Sequence, residues 1–176
     1  MKFDDVFGAD APIEGPEINF ANFLTLFPAI ELPVNLSSEL TRSITEIQFP
    51  LKEEFAVRFL LQEDEWLDDY TEFMPCFQLP KLSNFYALVF WKASLLGNGY
   101  HLMTFNGKGE KIDYCALAGT RYEDNEIIQT VCSIQTNFTI SQVLGRLDAR
   151  TGKALGLNKE DQCVLQLTTE GDIIEL

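Results

Sequence analysis

The stretch that decides the fold spans residues 85–118 and reads FYALVFWKASLLGNGYHLMTFNGKGEKIDYCALA. It contains three apolar, aromatic-rich runs, and the two gaps between them hold Asn98-Gly99 and Asn106-Gly107. Asn-Gly readily supplies the two positive φ angles of a tight I′ turn, so each gap predicts a hairpin. The stretch therefore predicts a three-stranded antiparallel meander, which indicates a fold class and no chemistry.

The first predicted strand of the meander is apolar on both faces. Alternation places Phe85, Ala87, Val89 and Trp91 on one face and Tyr86, Leu88 and Phe90 on the other. Such a strand is expected at the covered centre of a sheet. An amphipathic helix predicted at residues 17–27, with phenylalanines at helical spacing, would cover the second face. A partner protein is the alternative cover.

The rest of the chain predicts further short strands and few helices. A second short helix is expected at residues 37–45, capped by Ser37 or Ser38. The predicted strands lie at 55–62, 73–82, 126–136, 138–147, 163–169 and 172–175. Pro75 and Pro80 confine the second of these to a sheet edge or an extended loop.

Together these elements predict a β-dominated α+β fold. We expect an antiparallel meander sheet or partly closed barrel of about eight strands, with one or two short N-terminal helices. Residues 1–16 read as a loose acidic arm and residues 17–176 as a single domain.

Charge narrows the range of partners. The chain has 27 acidic and 13 basic residues, and its first 84 residues hold 16 acidic and five basic ones. Phosphate binding requires a basic face, so the sequence predicts no nucleic-acid partner and no anionic membrane surface. The longest unbroken apolar run, Ala87–Trp91, is far shorter than the ~20 residues of a membrane helix. A basic protein is the partner that this charge favours, and the oligomeric state stays open.

Four cysteines, at positions 76, 115, 132 and 163, form no C-x-x-C pair. We interpret them as free thiols in a reducing compartment, with a cross-strand disulfide in an exported protein as the alternative. The chain begins without a basic region followed by an apolar stretch, so a cytoplasmic location is expected.

His101 is the only histidine, and the sequence contains no Gly-x-Ser-x-Gly motif. We predict that His101 is partly buried with a satisfied hydrogen bond, while a catalytic base and a pH sensor are the alternatives. The sequence predicts no catalytic residue, no metal and no cofactor.

The densest charge cluster lies at residues 63–72, where six acidic residues and two aromatic residues occur without a base. Tryptophan and tyrosine are favoured interface anchors, so we predict a docking surface for a basic partner here. Its residues are Glu63, Asp64, Glu65, Trp66, Asp68, Asp69, Tyr70 and Glu72. One alternative is a solvated acidic turn that Trp66, Leu67 and Tyr70 pin to the core. Calcium is another, although the Asp-x-Asx-x-Asx-Gly spacing is missing.

Three groups of residues carry a resemblance to a known kind of protein. These are Phe23-Leu24, Phe27-Pro28 and Leu32-Pro33; Tyr100-x-Leu-x-Thr-Phe-Asn-x-x-Gly-x-x-Ile-Asp113; and Ala116-x-Ala-Gly119. The chain resembles small β-rich bacterial domains, some of which look like immunity or accessory partners of toxins. These motifs mark turns and core positions, so the resemblance assigns no functional residue.

Three functions are compatible with the sequence. The leading one is a non-enzymatic binding protein whose acidic surface engages a basic protein, for example as an immunity-type protein. The second is a barrel-type small-ligand binder or enzyme that uses carboxylates or His101. The third is a structural or oligomerisation module.

Overall fold

The computed structural model describes residues 16–63, 65–81, 84–156 and 161–176. Within these residues nine antiparallel strands form one meander sheet that is not closed, so the β-dominated fold is confirmed and the partly closed barrel is not formed. The predicted acidic arm, apart from Pro16, lies outside the described residues. No helix among the described residues is long and apolar enough to cross a membrane.

The helical elements come first in the chain and the strands dominate the remainder. The helices are α1 (Phe20–Leu24), α2 (Ser38–Ile47) and α3 (Glu53–Phe55), and a π-helical turn follows at Ala56–Leu60. The strands are β1 (Val34–Leu36), β2 (Glu72–Gln78), β3 (Phe85–Ser94), β4 (Gly97–Asn106), β5 (Lys111–Glu123), β6 (Glu126–Ile134), β7 (Thr139–Asp148), β8 (Gln162–Leu167) and β9 (Ile173–Glu175).

Strands β2 to β9 follow one another in the sheet in chain order, and β1 pairs with β6 from outside this path. The predicted meander is β3, β4 and β5. Strand β2 lies at the edge, as Pro75 predicts, and its register shifts between Pro75 and Phe77, while Pro80 lies beyond its end.

The first predicted turn of the meander is wrong. Ser94 pairs with Gly97, so Leu95 and Leu96 form the turn, and Gly97 to Gly99 belong to β4. The ladder that aligns Trp91 with Tyr100 sets this register, because a shift of one residue would turn every apolar side chain to the other face. At the second gap, residues 107–110 form a longer connection, which the Asn106 carboxamide oxygen holds by accepting from two backbone N–H groups.

The predicted strand at 55–62 is also wrong, since this segment is helical. Phe55, Ala56, Phe59 and Leu60 are buried, while Val57 is 51% exposed. The buried positions therefore recur one helical turn apart instead of at every second residue. Both faces of the helical segment carry large apolar side chains. Some of these therefore fall at alternate positions, which is the pattern that predicts a strand.

The sheet has two apolar faces, as its central strand predicts. On one face, α1 and the π-helical turn bring a phenylalanine-rich cluster onto β3 and β4. Phe23 is fully buried there, and its ring centroid lies 4.6 Å from that of Phe59. The predicted helical cover is thus confirmed, although α1 is shorter than the predicted 17–27: it spans Phe20–Leu24, with Asn19 as its N-cap. The N-cap Ser37 of α2 is confirmed as well.

On the other face, the sheet folds back on itself around a second core. The pairing of β5 with β6 stops at Gly119 and Thr130, and beyond this point β6 pairs with β1 instead. The Gln142 side chain donates hydrogen bonds of 2.7 Å to the carbonyl oxygens of Ala116 and Leu117, where the two strands part. Residues from both halves of the sheet then meet in one cluster, among them Leu102, Leu117, Cys132, Ile134 and Ile140.

Candidate functional site

The acidic segment, residues 63–72, connects the π-helical turn to β2. Leu67 packs against the phenylalanine-rich cluster, whereas Trp66 is 89% exposed and Tyr70 is 66% exposed. The idea that all three residues pin the segment to the core is therefore wrong for the two aromatic ones. Asp64 lies outside the described residues.

The carboxylates of the acidic segment differ in what they contact. Glu65 forms an ion pair with Lys92, with side chains only 25% and 19% exposed. Asp68 accepts hydrogen bonds from the Thr71 hydroxyl and the Tyr70 backbone N–H, which hold the pKa of Asp68 below its usual value. Asp69 and Glu72 are exposed and carry no hydrogen bond or ion pair to another described residue. These two carboxylates are therefore available to a partner.

A third exposed aromatic residue precedes the start of β2. Phe49 is 84% exposed, and the backbone N–H of Leu51 donates to the Phe73 carbonyl at 2.7 Å. This bond places the chain at residues 49–51 beside the first residues of β2, which the acidic segment enters. Glu63 is also exposed. Burial lowers the pKa of the nearby Lys111, and the negative charge of Glu63 opposes this shift in part.

His101 lies on β4 between two aromatic rings, with centroids 5.5 Å from Phe90 and 5.6 Å from Tyr114. Its Nδ1 is 2.6 Å from the Tyr114 hydroxyl, so the predicted satisfied hydrogen bond is present. Burial, with a smaller effect from the positive charge of Lys92, lowers the pKa of His101 to about 4. The ring is therefore neutral at pH 7. No other described residue bonds to its Nε2, and His101 forms part of the wall of a cavity.

This cavity has a volume of about 410 Å³ and follows one row of cross-strand partners. The row runs across β3 to β7 and consists of Lys92, Gly99, Gly119, Thr130 and Leu144. Lys92 and Leu144 carry large side chains at the two ends of this row, and Gly99 and Gly119 near its centre carry none. We call this hollow the glycine trough.

The floor of the glycine trough is bare backbone because the two strands are too close for side chains. A Cβ on Gly119 would lie less than 3.0 Å from the Asn98 carbonyl oxygen, and one on Gly99 equally close to that of Ala118. Gly97, in the neighbouring row, meets the same restriction against Thr120. Sequence reasoning missed this site because it assigned Gly97 to Gly99 to a turn. Glycines in two adjacent predicted strands were the signal that could have revealed it.

Several charged groups border the glycine trough. Arg121 pairs with Gly97 across the ladder and forms a 2.8 Å ion pair with the exposed Glu123. Asp161 is almost fully buried and lies 3.4 Å from the Arg146 guanidinium. The residues that line the hollow include Lys92, Ser94, Leu96, His101, Ala116, Arg121, Ile128, Gln142, Asp161 and Cys163.

The four cysteines are free thiols, so the cross-strand disulfide is not formed. Burial raises the pKa of Cys76, Cys115 and Cys132 to about 12, which leaves them protonated. Among the residues that the structure describes, no group of three His, Cys, Asp or Glu side chains is arranged to hold a metal ion.

Comparison with known proteins places this fold and these sites in no family: no protein-family model, no curated protein and no solved structure matches the chain.

Proposed function

We propose that this chain is a non-enzymatic binding protein whose acidic segment engages a basic protein. The observation that carries the proposal is the exposure of Trp66 and Tyr70 on a segment held in place by Leu67. Large aromatic side chains dominate the energetics of interfaces, and tryptophan and tyrosine are enriched among the residues that contribute most. Asp69 and Glu72 add uncompensated negative charge beside them.

The chemistry of this surface favours arginine and lysine on the partner. A guanidinium or ammonium group can stack on the face of an exposed tryptophan while it pairs with a nearby carboxylate. The net charge of −14 adds long-range attraction for a basic protein. Neutralisation of a basic toxin, in the manner of an immunity protein, is one concrete version of this function, and a cytoplasmic location fits it.

The experiment that tests the proposal is affinity capture from the lysate of the native host, at low and high salt, with wild type and two charge-matched variants. Asp69→Lys/Glu72→Lys alters the acidic segment without touching Asp68, whose hydrogen bonds hold the local turn. Glu170→Lys/Asp172→Lys makes the same change of charge in the turn between β8 and β9. The two variants lie at opposite ends of β3: the turn between β8 and β9 contacts Phe85 at the start of β3, and Glu72 pairs with Ala93 near the end of β3.

We expect wild type and the Glu170→Lys/Asp172→Lys variant to capture a basic protein. The Asp69→Lys/Glu72→Lys variant and a further variant, Trp66→Ala, should fail to capture it. High salt should weaken the capture, because charge steering is screened. A partner retained equally by all variants would rule out the acidic segment as the interface.

A further inference from the structure

We propose that the glycine trough is a binding site for a small planar aromatic acid. This site touches the acidic segment only through the ion pair of Lys92 with Glu65, and it does not depend on the function proposed for that segment. The proposal stands on the shape of the floor, the position of two cations and the hydrogen bond of one imidazole.

The floor suits a flat ring. Gly99 and Gly119 are direct cross-strand partners, and Gly97 lies on the same face one row away. Three such positions expose a surface of peptide groups on two neighbouring strands, where a ring can approach the backbone closely. Thr130 and Leu144 continue the row on the far side, and the volume of about 410 Å³ falls within the range of small-molecule sites.

Two cations stand on either side of the β4 glycines. Lys92 on β3 is the partner of Gly99, and Arg121 on β5 is the partner of Gly97. Both residues line the trough. The Lys92 ammonium lies 5.7 Å from the Phe73 ring centroid on β2, so rotation of its flexible side chain would bring it to an anionic group above β4.

Both cations can accept a ligand anion in addition to their present partners. Lys92 has three N–H donors and binds Glu65 with its ammonium group. Arg121 is paired with Glu123, but both side chains are more than half exposed, and such a pair contributes little in water. A carboxylate that contacts both groups would gain charge-assisted hydrogen bonds.

The buried acid of the site does not favour a cationic ligand instead. Asp161 is ion-paired with the Arg146 guanidinium, which it shares with Glu126, so its carboxylate already has a cationic partner. His101 is neutral, and when the Tyr114 hydroxyl donates to Nδ1 the ring carries its proton on Nε2. In that tautomer Nε2 is a donor at the wall of the trough for a carboxylate or a ring acceptor, whereas in the other tautomer Nδ1 donates to Tyr114 and Nε2 accepts.

The test is an NMR titration of the full chain with three probes that share one ring system: 2-naphthoate, 2-naphthalenemethanol and 2-naphthylmethylamine. We expect 2-naphthoate to shift the amide signals of Gly97, Gly99 and Gly119, with an affinity at least about tenfold above that of the alcohol and the amine. Equal or tighter binding of the amine or the alcohol would overturn the proposal that the ligand is an acid. Shifts confined to other parts of the chain, or no shift at millimolar probe, would overturn the proposal that the glycine trough binds it.

Two matched variants locate the ligand. Thr130→Phe fills the trough and should abolish these shifts, whereas Gln129→Phe adds the same ring on the exposed opposite face and should leave them unchanged. If Thr130→Phe loses its dispersed amide spectrum, Ala116→Phe fills the trough from the row of His101. Binding that survives a folded trough-filling variant would refute the proposal.

A charge variant tests the role of Lys92. Lys92→Met/Glu65→Gln removes the cation without leaving Glu65 unpaired. It should weaken 2-naphthoate about tenfold and leave 2-naphthalenemethanol unchanged. An equal loss for both probes would assign Lys92 to packing and overturn its role in recognising the anion. The trough-filling variants alter no residue of the acidic segment, so with them the partner capture described above fails or succeeds independently; the charge variant changes Glu65 of that segment and is used only with the naphthalene probes.

Discussion

Gly99 and Gly119 face each other across β4 and β5 so closely that neither position has room for a side chain. The φ angle of Gly119 is +152°, which residues with a Cβ rarely adopt. The same pair of residues thus permits the close approach of two strands and leaves the floor of the glycine trough bare. The fold and the candidate site therefore both require that positions 99 and 119 carry no side chain.

A single methyl group at this contact should therefore be costly. We expect Gly119→Ala to lower the free energy of unfolding by more than about 2 kcal/mol, because the strands must separate or the backbone must change. Urea unfolding at constant pH measures this difference.

Gly145→Ala on β7 is the matched control, since a Cβ there would lie 3.8 Å from the nearest atom, the Gln129 carbonyl oxygen. This variant should be neutral or up to about 1 kcal/mol more stable, as alanine loses less backbone entropy than glycine. Equal effects of the two substitutions would mean that the contact between β4 and β5 imposes no special restriction.

The antiparallel sheet could be predicted from the sequence because its signals are local and repeated. Alternation in β3 places Val89 and Phe90 on opposite faces of the sheet, and the structure places them in its two separate cores. Pro75 in β2 predicts an edge, and Ser37 predicts a helix start. Each of these features depends on a residue and its immediate neighbours.

The features that could not be predicted depend on contacts between distant residues. Asn98-Gly99 has the local preference of a turn, yet pairing of β4 with both neighbours keeps it extended. The segment at 55–62 alternates like a strand, yet burial against α1 makes it helical. The glycine trough joins residues of six strands, β3 to β8, so it became visible only when the register was known. The exposure of Trp66 is likewise invisible in the sequence.

The histidine on β4 should make stability depend on pH in a defined direction. The pKa of His101 is lowered by burial to about 4 in the folded protein, against 6.5 in the unfolded chain. Between these values the unfolded state binds more protons, so stability rises with pH and is lost as the pH falls. From pH 7.5 to 4.5 this group should remove about 2–3 kcal/mol.

Urea unfolding of wild type and His101→Gln across this pH range isolates the contribution, because the carboxylates are common to both. The loss between pH 7.5 and 4.5 should be larger in wild type. The chain has one histidine, so its ring proton signal can also be followed directly by NMR. A midpoint near 6.5 would contradict the buried, neutral imidazole.

Alanine substitutions at Trp66 and Phe23 should separate an effect on partner binding from an effect on the stability of the fold. Phe23 is fully buried among aromatic rings, so Phe23→Ala should cost about 3–5 kcal/mol of stability. Trp66 is 89% exposed, so Trp66→Ala should change stability by less than about 0.5 kcal/mol. Thermal or urea unfolding of both variants gives the comparison. A large loss in Trp66→Ala would show that the ring supports the fold, and the variant could then not report on partner binding.

The thiols should differ in their reactivity, because only the thiolate form is alkylated. Burial raises the pKa of Cys76, Cys115 and Cys132 to about 12, whereas that of Cys163, which lines the glycine trough, is shifted less far. We therefore expect iodoacetamide at pH 7.5 to modify Cys163 first and the other three only after urea is added. Mass spectrometry of the intact chain counts the added groups, and Cys163→Ser should remove the earliest one. Alkylation of Cys76 in the folded protein at the same rate would contradict the burial of its side chain on the edge strand β2.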